Sequence, residues 1–194
     1  SSVMMGWLGT VPLAAHGIAL QITSVVFMVH MGLSNAATVR AGQADGRGDR
    51  RALRDGAAVV LGLSLATAAL TMGLFFTLPE WLMGLFLGPD DPDRWAVIAI
   101  GTGLLAAAAL FQLVDAGQVM ALGLLRGVQD TRVPMIMAAI SYWGIGVPAS
   151  YVLGFPLGLE GVGIWLGLAV GLACAAVVML ARFWGWSARD VPTG

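Results

Sequence analysis

Residues 94–126 read RWAVIAIGTGLLAAAALFQLVDAGQVMALGLLR. The only charge between Arg94 and Arg126 is Asp115, with 20 uncharged residues before it and ten after. A helix crosses the hydrocarbon of a bilayer with ~20 apolar residues, whereas a membrane strand needs only ~9–11. Lipid also offers no water to satisfy an irregular backbone. The stretch therefore reads as a transmembrane helix over about 95–125 that carries one acid inside it.

The same reasoning, applied outward, divides the rest of the chain. No charge occurs before Arg40, and Gly9-Thr10-Val11-Pro12 is a turn signal inside that run. This predicts a partial helix at about 1–9 and a full one at about 13–38. Asp55 to Glu80 encloses 24 uncharged residues, Arg132 to Glu160 encloses 27, and Glu160 to Arg182 encloses 21. These give spans at about 56–78, 133–154 and 161–182, the fourth ending at a Gly154-Phe155-Pro156 turn. The expected fold is an all-α polytopic membrane helix bundle: five full transmembrane helices and the end of a sixth. The first run is apolar from Ser1 and meets Pro12 too soon to span, so the chain is expected to begin inside a helix and to be a fragment.

Composition agrees. Of 194 residues 58% are hydrophobic and only 11% charged, with a net charge of -1. Soluble domains carry ~25% charge. Too few charges remain to coat a soluble globule, which excludes a secreted domain, a nucleic-acid binder and a disordered chain. Cys174, the single cysteine, excludes an intramolecular disulfide and any multi-cysteine metal site. An intramembrane hydrolase is disfavoured. Gly32-Leu33-Ser34-Asn35-Ala36 lies within a helix rather than on the strand-to-helix turn that a nucleophilic serine needs, and no HExxH occurs.

Orientation follows from the basic residues, which are all arginine. Arg40, Arg47, Arg50, Arg51, Arg54, Arg126, Arg132, Arg182 and Arg189 fall on one side of the predicted spans, and Arg94 alone on the other. The positive-inside rule places the first group, and the C-terminus, on the cytoplasmic side. Trp81, Trp95 and Trp165 fall near the outer ends and Trp184 and Trp186 near the inner end, as interfacial aromatics do. The mixed-charge loop around Arg47 reads as a solvated topology determinant; anionic headgroups are its other possible partner.

Asp115 is the outlier. It stands eleven positions before Arg126, ~16 Å along a helix and thus near the middle of a ~30 Å core. An acid facing lipid there costs several kcal/mol, so it is expected to face a cavity or a partner. Gln112 and Gln118 lie three residues to either side, on the same face with Phe111. The competing reading is a helix–helix hydrogen bond that locks the bundle. His16 and His30 share one helix but lie 14 residues apart, ~21 Å, and cannot chelate one metal. Gly163, Gly167 and Gly171 form a small-residue stripe for close helix packing. Gly144, Gly146 and Pro148 interrupt their span, as a hinge or as a static bend. Tyr142 and Trp143 are candidates for lining a pocket for an organic cation.

Six stretches carry a family resemblance. They are Ala14-Ala15-His16-Gly17-Ile18-Ala19-Leu20-Gln21; Val39-Arg40-Ala41-Gly42-Gln43-Ala44; Phe111-Gln112-Leu113-Val114-Asp115-Ala116-Gly117-Gln118-Val119; Leu125-Arg126-Gly127-Val128-Gln129-Asp130-Thr131-Arg132-Val133-Pro134; Tyr142-Trp143-Gly144-Ile145-Gly146-Val147-Pro148; and Gly161-Val162-Gly163-Ile164-Trp165-Leu166-Gly167. In order and in content they resemble the MATE family, the multidrug and toxic compound extrusion transporters, and most closely its bacterial cation-coupled drug exporters. The resemblance implies one lobe of a twelve-helix, two-lobe transporter: the end of helix seven, then helices eight to twelve, without the N-terminal lobe.

It further implies an antiporter that exports drugs or organic cations in exchange for H⁺ or Na⁺, with no other cofactor. The partners it implies are a small-molecule drug, the missing lobe and the bilayer, with no nucleic acid. A related flippase for lipid-linked precursors and a non-transporting scaffold are the alternatives. Asp115 matches the family's helix-ten acid and is the expected cation-coupling residue, with Na⁺ the one metal conceivable there. The helix-seven acid would precede Ser1. Gln112, Gln118, Phe111, His16, Gln21, Tyr142 and Trp143 are the expected cavity-lining residues. Phe111 stands where some relatives have tyrosine and Gly17 where glutamine is usual, which leaves H⁺ and Na⁺ both open.

Overall fold

The computed structural model describes residues 2–187. Arg189, assigned above to the cytoplasmic tail, lies outside the described residues, and so does the tail beyond Ser187. Among the described residues all regular structure is helical: α1 (Ser2–Leu8), α2 (Thr10–Gly46), α3 (Arg50–Thr77), α4 (Pro79–Gly84), α5 (Arg94–Gly127), α6 (Arg132–Ala139), a π-helical segment (Ile140–Gly146), α7 (Val147–Gly154) and α8 (Glu160–Ser187). Five helical stretches are long and apolar enough to cross a membrane: α2, α3, α5, the continuous run Arg132–Gly154, and α8 to Gly185.

Local chemistry explains the boundaries. The chain breaks between α1 and α2 at Gly9 alone, where φ is +124°, a conformation that favours glycine. Pro12 then sits in the first turn of α2, where backbone N–H groups have no partner within the helix in any case. At its other end α2 runs on through Arg40 to Gly46, so the loop carrying basic residues shrinks to Arg47–Asp49. Asp49 caps α3 by accepting a hydrogen bond from the Ala52 N–H at 2.9 Å.

The span 132–154 is not uniformly α-helical. Pro148 has no N–H to offer the carbonyl one turn back. The ladder widens just before it, with the Val147 N–H bonded to the Tyr142 carbonyl. The interruption read from Gly144, Gly146 and Pro148 is thus a π segment.

α5 is the central helix and packs against α2, α3, α4 and α8. Two apolar cores lie along it. One holds Ala15, Ala19, Phe75, Val97, Leu104, Leu105 and Ile164. The other holds Ala41, Leu53, Ala57, Leu124, Leu125, Ala175 and Phe183. On α5 the buried members of the first core end at Ala109 and those of the second begin at Val119. Between these levels lies a layer of buried polar side chains.

α8 approaches the preceding span closely. A Cβ at Gly163 would lie 2.4 Å from the Leu153 carbonyl oxygen, one at Gly167 2.1 Å from the Ser150 nitrogen, and one at Gly171 2.7 Å from the Gly146 Cα. Backbone meets backbone here, which only residues without a side chain permit.

Candidate functional site

The polar layer is built on α5 and closed by its neighbours. Asp115 is 6% exposed, and Gln112 and Gln118 are buried beside it on the same face. The Gln112 Nε2 donates to the Thr23 carbonyl of α2 at 3.0 Å, which turns its oxygen the other way. Gln112 Oε1 and Asp115 Oδ2 are both buried and have no hydrogen-bond partner among the described residues. One face of α5 therefore presents two oxygen acceptors, one turn apart, that the surrounding helices leave open. Such oxygens suit a proton or a hard cation.

Tyr142, half-buried in the π segment, faces Asp115 and Gln118 from the other side. The widened backbone thus borders the acid. Phe111 packs its ring edge-on against Trp165 of α8, with centroids 5.4 Å apart. Trp165 in turn donates its indole N–H to Nδ1 of His16 at 3.0 Å. His16, Trp165, Phe111, Gln112, Asp115, Gln118 and Tyr142 therefore form one band from α2 through α8 and α5 to the π segment.

Two residues named as possible cavity lining stand apart from this band. Gln21 is exposed, and Trp143 is 76% exposed on the outside of the helix that carries Tyr142. Trp165 also departs from expectation. Trp81 and Trp95 are exposed as interfacial residues are, but Trp165 is 2% exposed and belongs to the interior. Its indole N–H finds a histidine instead of headgroups.

Sequence reasoning missed several partners of these residues. Ser64 of α3 lies 3.0 Å from His30 Nδ1 and donates to the Ala116 carbonyl at 3.4 Å, one residue from Asp115. Ser34 and Thr38 of α2 donate to the Val119 and Gly123 carbonyls of α5 at 2.8 and 2.9 Å. Hydroxyls within apolar helices were the available signal, since buried ones need a partner. Among the described residues no cluster of three His, Cys, Asp or Glu side chains is placed to hold a metal ion.

Comparison with known proteins fits this architecture. The MatE family model matches residues 1–152. The chain is 45% identical over 183 residues to a probable multidrug resistance protein NorM of Agrobacterium fabrum, covering 94% of this chain and 39% of that protein. It is likewise 45% identical over 183 residues to the multidrug resistance protein NorM of Burkholderia vietnamiensis, covering 94% of this chain and 40% of the relative. Among solved structures, an outward-facing multidrug resistance MATE family transporter of the MOP superfamily superposes with a TM-score of 0.84 at 16% identity, over 96% of this chain and 40% of that one. The eukaryotic MATE transporter AtDTX14 gives 0.72 at 18% identity, over 88% of this chain and 37% of its own. The chain thus spans about 40% of the length of these relatives. With the family model matched over most of its length and its helices superposing on solved transporters, the chain belongs to the MATE family.

Proposed function

We propose that this chain is one lobe of a secondary antiporter that exports drugs or organic cations across a bacterial inner membrane, and that Asp115 carries the coupling ion. The observation behind this reading is the Asp115 carboxylate, buried in the middle layer of the lobe with one oxygen unpartnered. An acid kept only for packing would be expected to have both oxygens hydrogen-bonded. Gln112 Oε1 adds a second open acceptor one turn away, and Tyr142 and Gln118 border the carboxylate.

In this reading the carboxylate alternates between an ion-loaded and an unloaded state. Binding of the organic cation favours release of the ion, and ion binding favours release of the drug. The two lobes rock about the shared site, so that it opens to one side at a time. The coupling ion is H⁺ or Na⁺. Phe111, one turn before Asp115, offers no oxygen, which inclines the site towards H⁺.

Asp115→Asn in the complete transporter tests the role. Asn keeps the shape and the hydrogen-bonding capacity but holds no negative charge. Ion-driven efflux from proteoliposomes should be abolished while expression and thermal stability stay near those of the parent. Full drug resistance conferred by a well-expressed Asp115→Asn transporter would show that the residue only packs. Dependence of efflux on an imposed pH gradient or an imposed Na⁺ gradient assigns the ion.

A further inference from the structure

A groove of about 480 Å³ lies between the C-terminal part of α2 and the N-terminal part of α3, with Leu124 of α5 among its lining residues. We propose that it binds one anionic phospholipid, with the phosphate at Arg40 and Arg47 and an acyl chain against Leu33, Val59 and Leu63. The volume is that of a specific ligand site.

The groove has two chemically distinct ends. Asp55, Val59 and Leu63 line it from α3 at intervals of four residues, so they share a face and descend ~12 Å along the helix. Val59 and Leu63 are 61% and 53% exposed within a span apolar enough to cross a membrane, so the deep end opens toward lipid. At the shallow end lie Arg40 of α2 and, seven positions on, Arg47, the residue that caps the C-terminus of α2, ~10 Å further along the helix direction. Both are exposed, and neither has an ion pair or side-chain hydrogen bond among the described residues. Asp55, the acid in the lining, is paired with Arg51 at 3.8 Å rather than with either of them.

This combination selects the occupant. Two open guanidiniums suit a phosphate, which arginine binds through paired N–H donors. A free phosphate would make no use of the apolar arm. A neutral lipid would leave the arginines without a counter-charge. A phospholipid with a net negative headgroup satisfies both ends, and juxtamembrane basic residues favour such lipids by ~1 kcal/mol each, about fivefold in affinity. The proposal goes beyond ion coupling at Asp115 and is independent of it.

The test uses the complete transporter that contains this chain, extracted from vesicles of equal phosphatidylglycerol and phosphatidylcholine and examined by native mass spectrometry. One phosphatidylglycerol should be retained, with at least about fivefold preference over phosphatidylcholine. Arg40→Gln with Arg47→Gln should bring the preference to parity, each single variant should lose part of it, and Arg54→Gln, outside the groove, should keep it. Leu63→Trp should displace the lipid with both arginines intact, and millimolar inorganic phosphate should not. Parity in the parent, retention by the double variant, or an equal loss in Arg54→Gln would overturn the proposal. Displacement by inorganic phosphate would make this a small-anion site and overturn it as well. So would failure of a cysteine at position 59, in a Cys174→Ser background, to react with maleimide in lipid-free detergent, because another part of the transporter would then fill the groove.

Discussion

The indole N–H of Trp165 donates to Nδ1 of His16 across 149 residues of chain, at 3.0 Å and with both side chains buried. Indole nitrogen is a donor only, so His16 Nδ1 must be the acceptor and the ring proton sits on Nε2. The bond ties α2 to α8 at the level where Phe111 packs on the same indole. Trp165→Phe keeps a ring against Phe111 but leaves Nδ1 without its donor. Side-chain hydrogen bonds between membrane helices contribute ~0.6–1.7 kcal/mol. The variant should therefore melt measurably earlier in detergent, and His16→Ala added to it should cost less than His16→Ala alone. Independent, additive effects would mean the bond contributes nothing.

The glycines of α8 and α3 should behave oppositely. A Cβ at Gly167 meets backbone at 2.1 Å, whereas one at Gly62 meets nothing within 4 Å. Gly167→Ala should force α7 and α8 apart and destabilise by ~1–3 kcal/mol. Gly62→Ala should be neutral or stabilising by up to ~1 kcal/mol, since the helix loses a flexible residue. Equal melting temperatures for the two variants would contradict the observed approach of α8 to Ser150.

Sidedness can be read by labelling in a Cys174→Ser background. Arg51 is 93% exposed beside the short loop that joins α2 to α3, and Asp91 is exposed in the segment between α4 and α5. The arginine distribution predicts that cysteine at 91 reacts with an impermeant maleimide in intact cells and that cysteine at 51 reacts only after lysis. The reverse pattern would invert the orientation.

Residues 1–194 expressed alone should not carry out ion-driven efflux. They supply about 40% of the length of the matched relatives, and alternating access requires two repeats moving about a shared site. Dye efflux driven by an ion gradient in proteoliposomes of the purified chain is the outcome that would sink this expectation.

Arg182 of α8 forms an ion pair with Asp130 in the segment joining α5 to α6. Arg182 is 37% exposed, so the pair is partly screened and contributes no more than ~1 kcal/mol. Arg182→Gln should lower thermal stability slightly at low salt and negligibly at high salt. A loss that is large and independent of salt would point to a packing role for the arginine stem.

Much of this protein was legible in its sequence because lipid imposes a simple rule. A charge-free run of about 20 residues must satisfy its own backbone and so must be a helix. That rule placed five spanning helices and an all-helical class from the positions of 21 charges. It also picked out Asp115, because a carboxylate in hydrocarbon is too costly to face lipid, and Asp115 is indeed buried.

Only the tertiary structure decided who faces whom. An apolar helix carries little information about which side meets a neighbour, because lipid tails and leucine side chains are equally apolar. Trp165 therefore looked like an interfacial residue until α8 was seen to turn it inward to His16. The two open oxygens of Gln112 and Asp115 became visible only once the neighbouring helices were in place around α5.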